Sequence, residues 1–243
     1  MNLIVQKNSK YILSEFFSKI INLDYLDGIS LNVVKTKDNV LVVINLSNTE
    51  NTYLKTIYSN NFVNLKGFEM VPLVEVTKYL KRINYEKKVF LDIIPYQPTK
   101  LTEEQNKLLV EEYKGYASLL KEVIKLSEGL NIYIHSISRT LIDFIRKEKV
   151  DSKFGFALVG FDLNYIDVDY YVFTVEMLNF PLIKQELDMG KEVMIYVGTE
   201  YELSYLYDIF RGDKKTSLTE EVFKKVYILG DYPEILKQTF LLK

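Results

Sequence analysis

Short apolar strands alternate with amphipathic helical runs along almost the whole chain, and this alternation limits the fold more than any other feature. Strand-like runs begin at Leu3, Gly28, Val89, Ile132, Phe154, Tyr170, Val193 and Val226, and most are followed by a helical pattern. Strands separated by helices pair in parallel, and eight such units close into a barrel. Val89–Ile94 reads VFLDII, the near-continuous apolar run of a parallel strand covered on both faces. Gly28–Val34 and Val40–Asn45 instead flank the turn Lys37-Asp38-Asn39, which predicts a hairpin. Ile12, Leu13, Phe16, Phe17, Ile20 and Ile21 recur at helical spacing, and Pro72 opens a helix reaching about Ile83. Thr102 starts a long helix to about Ser127, with Gln105 completing a capping box and Gly129 past its end. Residues 46–70, rich in Asn and Thr, read as irregular. No repeat, linker or low-complexity tract divides residues 1–243, which are expected to form a single α/β domain, one (β/α)8 barrel of the TIM type.

Composition narrows the chemistry. The chain has no Cys and one His, His135, so disulfides, thiolate metal sites, Cys nucleophiles and any mechanism with two histidines are excluded. Its 31 Lys and Arg against 33 Asp and Glu leave a net charge of −2, which argues against a nucleic-acid partner. No uncharged apolar stretch is long enough to span a membrane, and residues 1–20 lack a signal-peptide pattern, so a cytoplasmic protein is expected.

The stretch from Leu26 to Val40, Leu-Asp-Gly-Ile-Ser-Leu-Asn-Val-Val-Lys-Thr-Lys-Asp-Asn-Val, resembles the glycerophosphodiester phosphodiesterase family, which reads roughly A-D-G-V-E-L-D-V-Q-L-T-K-D-G-V there. The likeness continues through Val42-Val43, Val71-Pro72, Ile132–Ser136 and Gly190–Tyr196, and it closes at Gly230–Leu236 (GDYPEIL). These segments follow the family's order over nearly the whole chain. The resemblance implies an eight-stranded barrel, in agreement with the strand count. It also implies phosphodiester hydrolysis by two histidines as general acid and base, with a divalent metal held by three carboxylates.

The residues on which that chemistry rests are replaced. The family's first His aligns with Gln6 and its Arg with Lys7. Two metal carboxylates align with Ser30 and Asn32, the second His with Asn45, the third carboxylate with Ile94 and the following Lys with Tyr96. Amides do not shuttle protons near pH 7, and Ser, Asn and Ile offer no charge to a hard cation. A catalytically inactive, phosphodiesterase-like protein is therefore expected, with no metal or cofactor. Gln6, Lys7, Ser30, Asn32 and Asn45, joined by Tyr196 in place of a family Trp, would line a mouth for a small phosphate-containing ligand. The sequence identifies no protein partner. The alternative is a hydrolase using replacement residues such as Asp92, His135 and Glu176. Of these, His135 reads as structural, packed between barrel and helices. Asp92 should line the barrel, and Glu176 reads as a loop residue in solvent.

Overall fold

The computed structural model of the protein describes residues 2–6, 13–45, 51–95, 103–158, 166–210, 225–231 and 233–240. Its strands are β1 (Asn2–Gln6), β2 (Gly28–Lys35), β3 (Leu41–Ile44), β4 (Met70–Pro72), β5 (Lys88–Ile93), β6 (Asn131–Ser136), β7 (Lys153–Ala157), β8 (Tyr170–Thr174), β9 (Glu192–Val197) and β10 (Val226–Gly230). Eight of them run parallel in the cyclic order β1-β2-β5-β6-β7-β8-β9-β10, and β10 pairs back onto β1. The sheet is thus the closed α/β barrel that the alternation predicts. Strands β3 and β4 hang antiparallel from β2 as the expected hairpin plus one short addition.

The helices are α1 (Leu13–Glu15), which runs into a π-helical turn at Phe16–Ile20, then α2 (Asn51–Ser59), α3 (Leu73–Arg82), α4 (Glu103–Leu126), α5 (Arg139–Lys147), α6 (Phe180–Asp188), α7 (Glu200–Phe210) and α8 (Pro233–Phe240). Local chemistry fixes several starts. The Ser138 hydroxyl accepts from the Leu141 amide at 3.3 Å, and the Asn179 side chain accepts from the Leu182 amide at 3.1 Å. Thr199 and Glu202 form a reciprocal capping box at 3.1 and 2.8 Å. The box expected at Thr102 and Gln105 lies outside the described residues and side chains.

One stretch departs from expectation. Residues 46–70 are not wholly irregular, because they contain α2, a 3-10 turn at Phe62–Asn64 and the start of β4. Tyr53, Leu54, Ile57 and Tyr58 share one face of α2, and they pack with Val34, Val42 and Ile44 of the hairpin. That apolar stripe outweighs the low helix propensity of the Asn and Thr around it.

Alternation along the strands divides the core in two. Leu3, Val5, Ile29, Leu31, Val33, Val89, Leu91 and Ile134 face the helices. Ile4, Phe90, Tyr133, Tyr170, Val172, Met194 and Leu229 fill the barrel itself. Phe90, Tyr133 and Tyr170 form a mutually tilted aromatic layer with centroids 4.7, 5.8 and 5.7 Å apart. Each fully buried ring of this kind contributes roughly 2–3 kcal/mol by removing apolar surface from water. None of the described helices is long and apolar enough to cross a membrane.

Candidate functional site

The carboxyl ends of barrel strands are where such folds build their sites, because the loops that follow them converge there. On the interior face, the register sets Gln6 beside Ser30, Asn32 beside Asp92, and Asp92 beside His135. Five polar side chains therefore lie on four adjacent strands, β1, β2, β5 and β6, above the aromatic layer. Gln6 Nε2 donates to Asn32 Oδ1 at 3.0 Å, and both residues are buried. Below them Ser30 is fully buried, and among the described residues its hydroxyl has no hydrogen-bond partner.

Other expected positions fall elsewhere. Asn45 follows β3, and its amide donates to Glu69 Oε2 at 3.1 Å, on the hairpin side. Tyr196 is half-buried on β9 and packs against the barrel interior. Ile94 joins the hairpin cluster, while its carbonyl accepts from the Tyr58 and Tyr116 hydroxyls. Glu176 is exposed in the 3-10 turn Val175–Met177. Lys7 and Tyr96 lie outside the described residues, as do the segments 7–12, 46–50, 96–102 and 159–165 that follow strand ends on this side.

His135 requires a correction. It does not pack between barrel and helices, because Ile134 faces the helices and strand alternation turns its neighbour His135 inward with Tyr133, where it is only 2% exposed. Its Nδ1 lies 3.0 Å from the Tyr170 hydroxyl and its Nε2 lies 3.7 Å from Asp92 Oδ1. Burial holds the Tyr170 hydroxyl well above its ordinary pKa, so it keeps its proton, and which of the two groups donates follows the imidazole tautomer. Gly155 makes this stack possible, since a Cβ there would overlap the Tyr170 ring. Removal from water lowers the His135 pKa to about 3 and raises that of Asp92 to about 7. The pair is thus a neutral imidazole beside a carboxyl that titrates near neutrality. Sequence reading found no partner for His135, because Asp92 is 43 positions away and becomes its neighbour only through the β5–β6 register.

A divalent metal does not fit this donor set. Such ions take six or more oxygens with several carboxylates, whereas the aligned positions carry Ser30, Asn32 and Ile94. Among the described residues no three His, Cys, Asp or Glu side chains cluster as metal ligands. A surface groove of about 400 Å³ lies at the opposite end of the barrel near Lys121, Ile132 and Lys149. It touches none of the mouth residues.

No family model matches the chain, and no curated protein does. Solved structures do match. A glycerophosphodiester phosphodiesterase from Parabacteroides distasonis superposes with a TM-score of 0.68 at 16% identity, covering 98% of this chain and 95% of that one. A phosphodiesterase from Oleispira antarctica, in complex with its product sn-glycerol-3-phosphate, gives 0.68 at 13% identity over 98% and 96% of the two chains. A glycerophosphodiester phosphodiesterase from Agrobacterium tumefaciens gives 0.54 at 14% over 98% and 99%. The fold is that of the glycerophosphodiester phosphodiesterases. At these identities the likeness establishes the barrel and its strand order, and the site has to be read from its own residues.

Proposed function

We propose that this phosphodiesterase-like barrel is catalytically inactive by the family's mechanism and holds a small phosphate-containing ligand at its mouth. The observation that carries this reading is the Gln6–Asn32 hydrogen bond. Gln6 stands where the resemblance puts an acid/base His, and Asn32 where it puts a metal carboxylate. Two neutral amides bonded to each other do not move protons and bring no charge to a cation, yet they leave the wall polar. Ser30 adds a hydroxyl whose hydrogen-bonding capacity is unspent among the described residues. Lys7, next in the chain after Gln6, supplies the cation of the reading, and Tyr196 a side wall. The Oleispira relative holds a phosphate ester, which supports this ligand class for the shared fold.

Calorimetric titration with sn-glycerol 3-phosphate tests the reading. Weak, salt-sensitive binding is expected, lost in Lys7→Ala with little change in melting temperature. Unchanged affinity in that variant would move the function away from this mouth.

A second reading, hydrolysis by replacement residues, is favoured by the 3.7 Å approach of Asp92 and His135. It predicts phosphodiester turnover without metal that disappears in Asp92→Asn. Glu176, the third residue of that alternative, is exposed in the 3-10 turn that follows β8.

A further inference from the structure

We propose that Asp92 sets the specificity of the mouth by admitting an anionic group only together with a proton. This rests on the phosphate-binding reading and adds to it the protonation state in which the site accepts its ligand. The geometry points to Asp92 because it supplies the carboxylate of an otherwise neutral row. Asn32 flanks it on β2 and His135 on β6, and the Gln6 amide completes the wall through Asn32. Among the described residues, the titratable groups facing it are His135 on the neighbouring strand, Tyr170 on β8 and Tyr58 on α2. Among the described residues no Lys or Arg forms an ion pair with it. Lys88, lower on the same strand, is engaged by Glu192.

The imidazole does not neutralise Asp92. Its separation of 3.7 Å is longer than a good hydrogen bond, and its buried ring stays uncharged. An ionised Asp92 therefore presents a negative charge that no cation among the described residues pairs with, and it repels a phosphate or sulfate oxygen. A protonated Asp92 reverses this, because its hydroxyl becomes a donor to the same oxygen. The side chain is 22% exposed, enough to meet a ligand and too little for water to stabilise the charge fully. Burial raises its pKa to about 7, which puts the change in the range where cells operate.

Sulfate is the probe, because its charge is constant across the range while that of phosphate is not. Its affinity is measured from about pH 5.5 to about pH 8.5 in the wild type and in Asp92→Asn. Uptake of one proton per anion predicts that wild-type affinity falls about tenfold per pH unit above about pH 7. Asp92→Asn should be flat over the same range and bind about thirtyfold more tightly than wild type at the alkaline end. A flat wild type, or an equal slope in both proteins, overturns the role of Asp92 and leaves the anion-binding reading standing. Absence of sulfate binding at every pH in both proteins overturns that reading as well. If the variant does not fold, wild-type titrations in two buffers of different ionisation enthalpy decide the matter. About one proton taken up per sulfate at alkaline pH, and none near pH 5.5, supports the proposal, and zero throughout overturns it.

Discussion

At the amino-terminal end of the barrel, charge is paired and enclosed, while at the carboxyl end polar groups are left with capacity to spare. Lys88 Nζ reaches both Glu192 oxygens at 3.1 Å, lies over the Tyr133 and Tyr227 rings at 4.7 and 4.1 Å, and donates to the Tyr227 hydroxyl. Lys153 adds a second contact to Glu192 at 3.1 Å. Burial works against the Lys88 charge, but hydrogen bonds to Tyr227 and Tyr133, with Glu192 opposite, outweigh it and raise its pKa. The mouth has Asp92 without a cationic partner among the described residues, and Ser30 without any. One end spends its polar groups on the fold, and on the proposed reading the other keeps them for a ligand. This is the division of labour that barrels show between their two faces.

Glu192→Ala should break that comparison most severely. It leaves the partly buried Lys88 ammonium without its carboxylate partner, at a cost of about 2–3 kcal/mol by chemical denaturation. Asp92→Ala at the other end should cost less, or stabilise the protein above neutral pH by removing an unpaired charge.

The pH dependence of stability separates the two titrating groups of the mouth. The Asp92 pKa is raised from 3.8 to about 7, so its contribution is present at low pH and lost as pH rises through that window. The His135 pKa is lowered from 6.5 to about 3, so its contribution is present above 6.5 and lost as pH falls toward 3. Between about pH 4 and 6.5 the folded and unfolded chains bind equal numbers of protons at the two sites, and the slopes cancel. Asp92→Asn should expose the His135 slope, with stability rising about 1.4 kcal/mol per pH unit in that window. His135→Gln should expose the opposite slope, of similar size. Parallel curves for both variants and wild type would show that the pair does not titrate in this way.

These predictions depend unequally on what the sequence discloses. The eight strands, the hairpin and the inward faces of Ser30 and Asn32 were legible, because alternation and strand length are local properties. Helix α2 was not, since the Asn and Thr between its apolar residues mask a stripe that has meaning only beside the hairpin it covers. The Asp92–His135 and Lys88–Glu192 pairs were also hidden. Each joins residues far apart in the chain, and only barrel closure and register bring them together. A charged residue at the edge of an apolar strand, such as Lys88 before VFLDI, is the local signal that could have prompted a search for a partner across the barrel.

The Gln6–Asn32 bond sharpens the comparison at smaller scale. Gln6→Leu or Asn32→Leu alone should each cost about 1–2 kcal/mol by removing this buried bond, whereas the double variant should cost less than their sum. Additive losses would mean that the two amides serve other partners. The smallest effect is expected from Ser30→Ala, which removes a buried hydroxyl without a described partner and should leave stability unchanged or raise it by about 0.5–1 kcal/mol.

The most direct measurement is release of sn-glycerol 3-phosphate from a glycerophosphodiester, with and without Mg²⁺ or Ca²⁺. Each positioned acid or base supplies a factor of about 10²–10⁴, and the metal adds several kcal/mol of charge stabilisation. With neutral amides at these positions, no turnover above background is predicted in either condition, while the same preparation binds the product. Metal-dependent turnover would contradict the account.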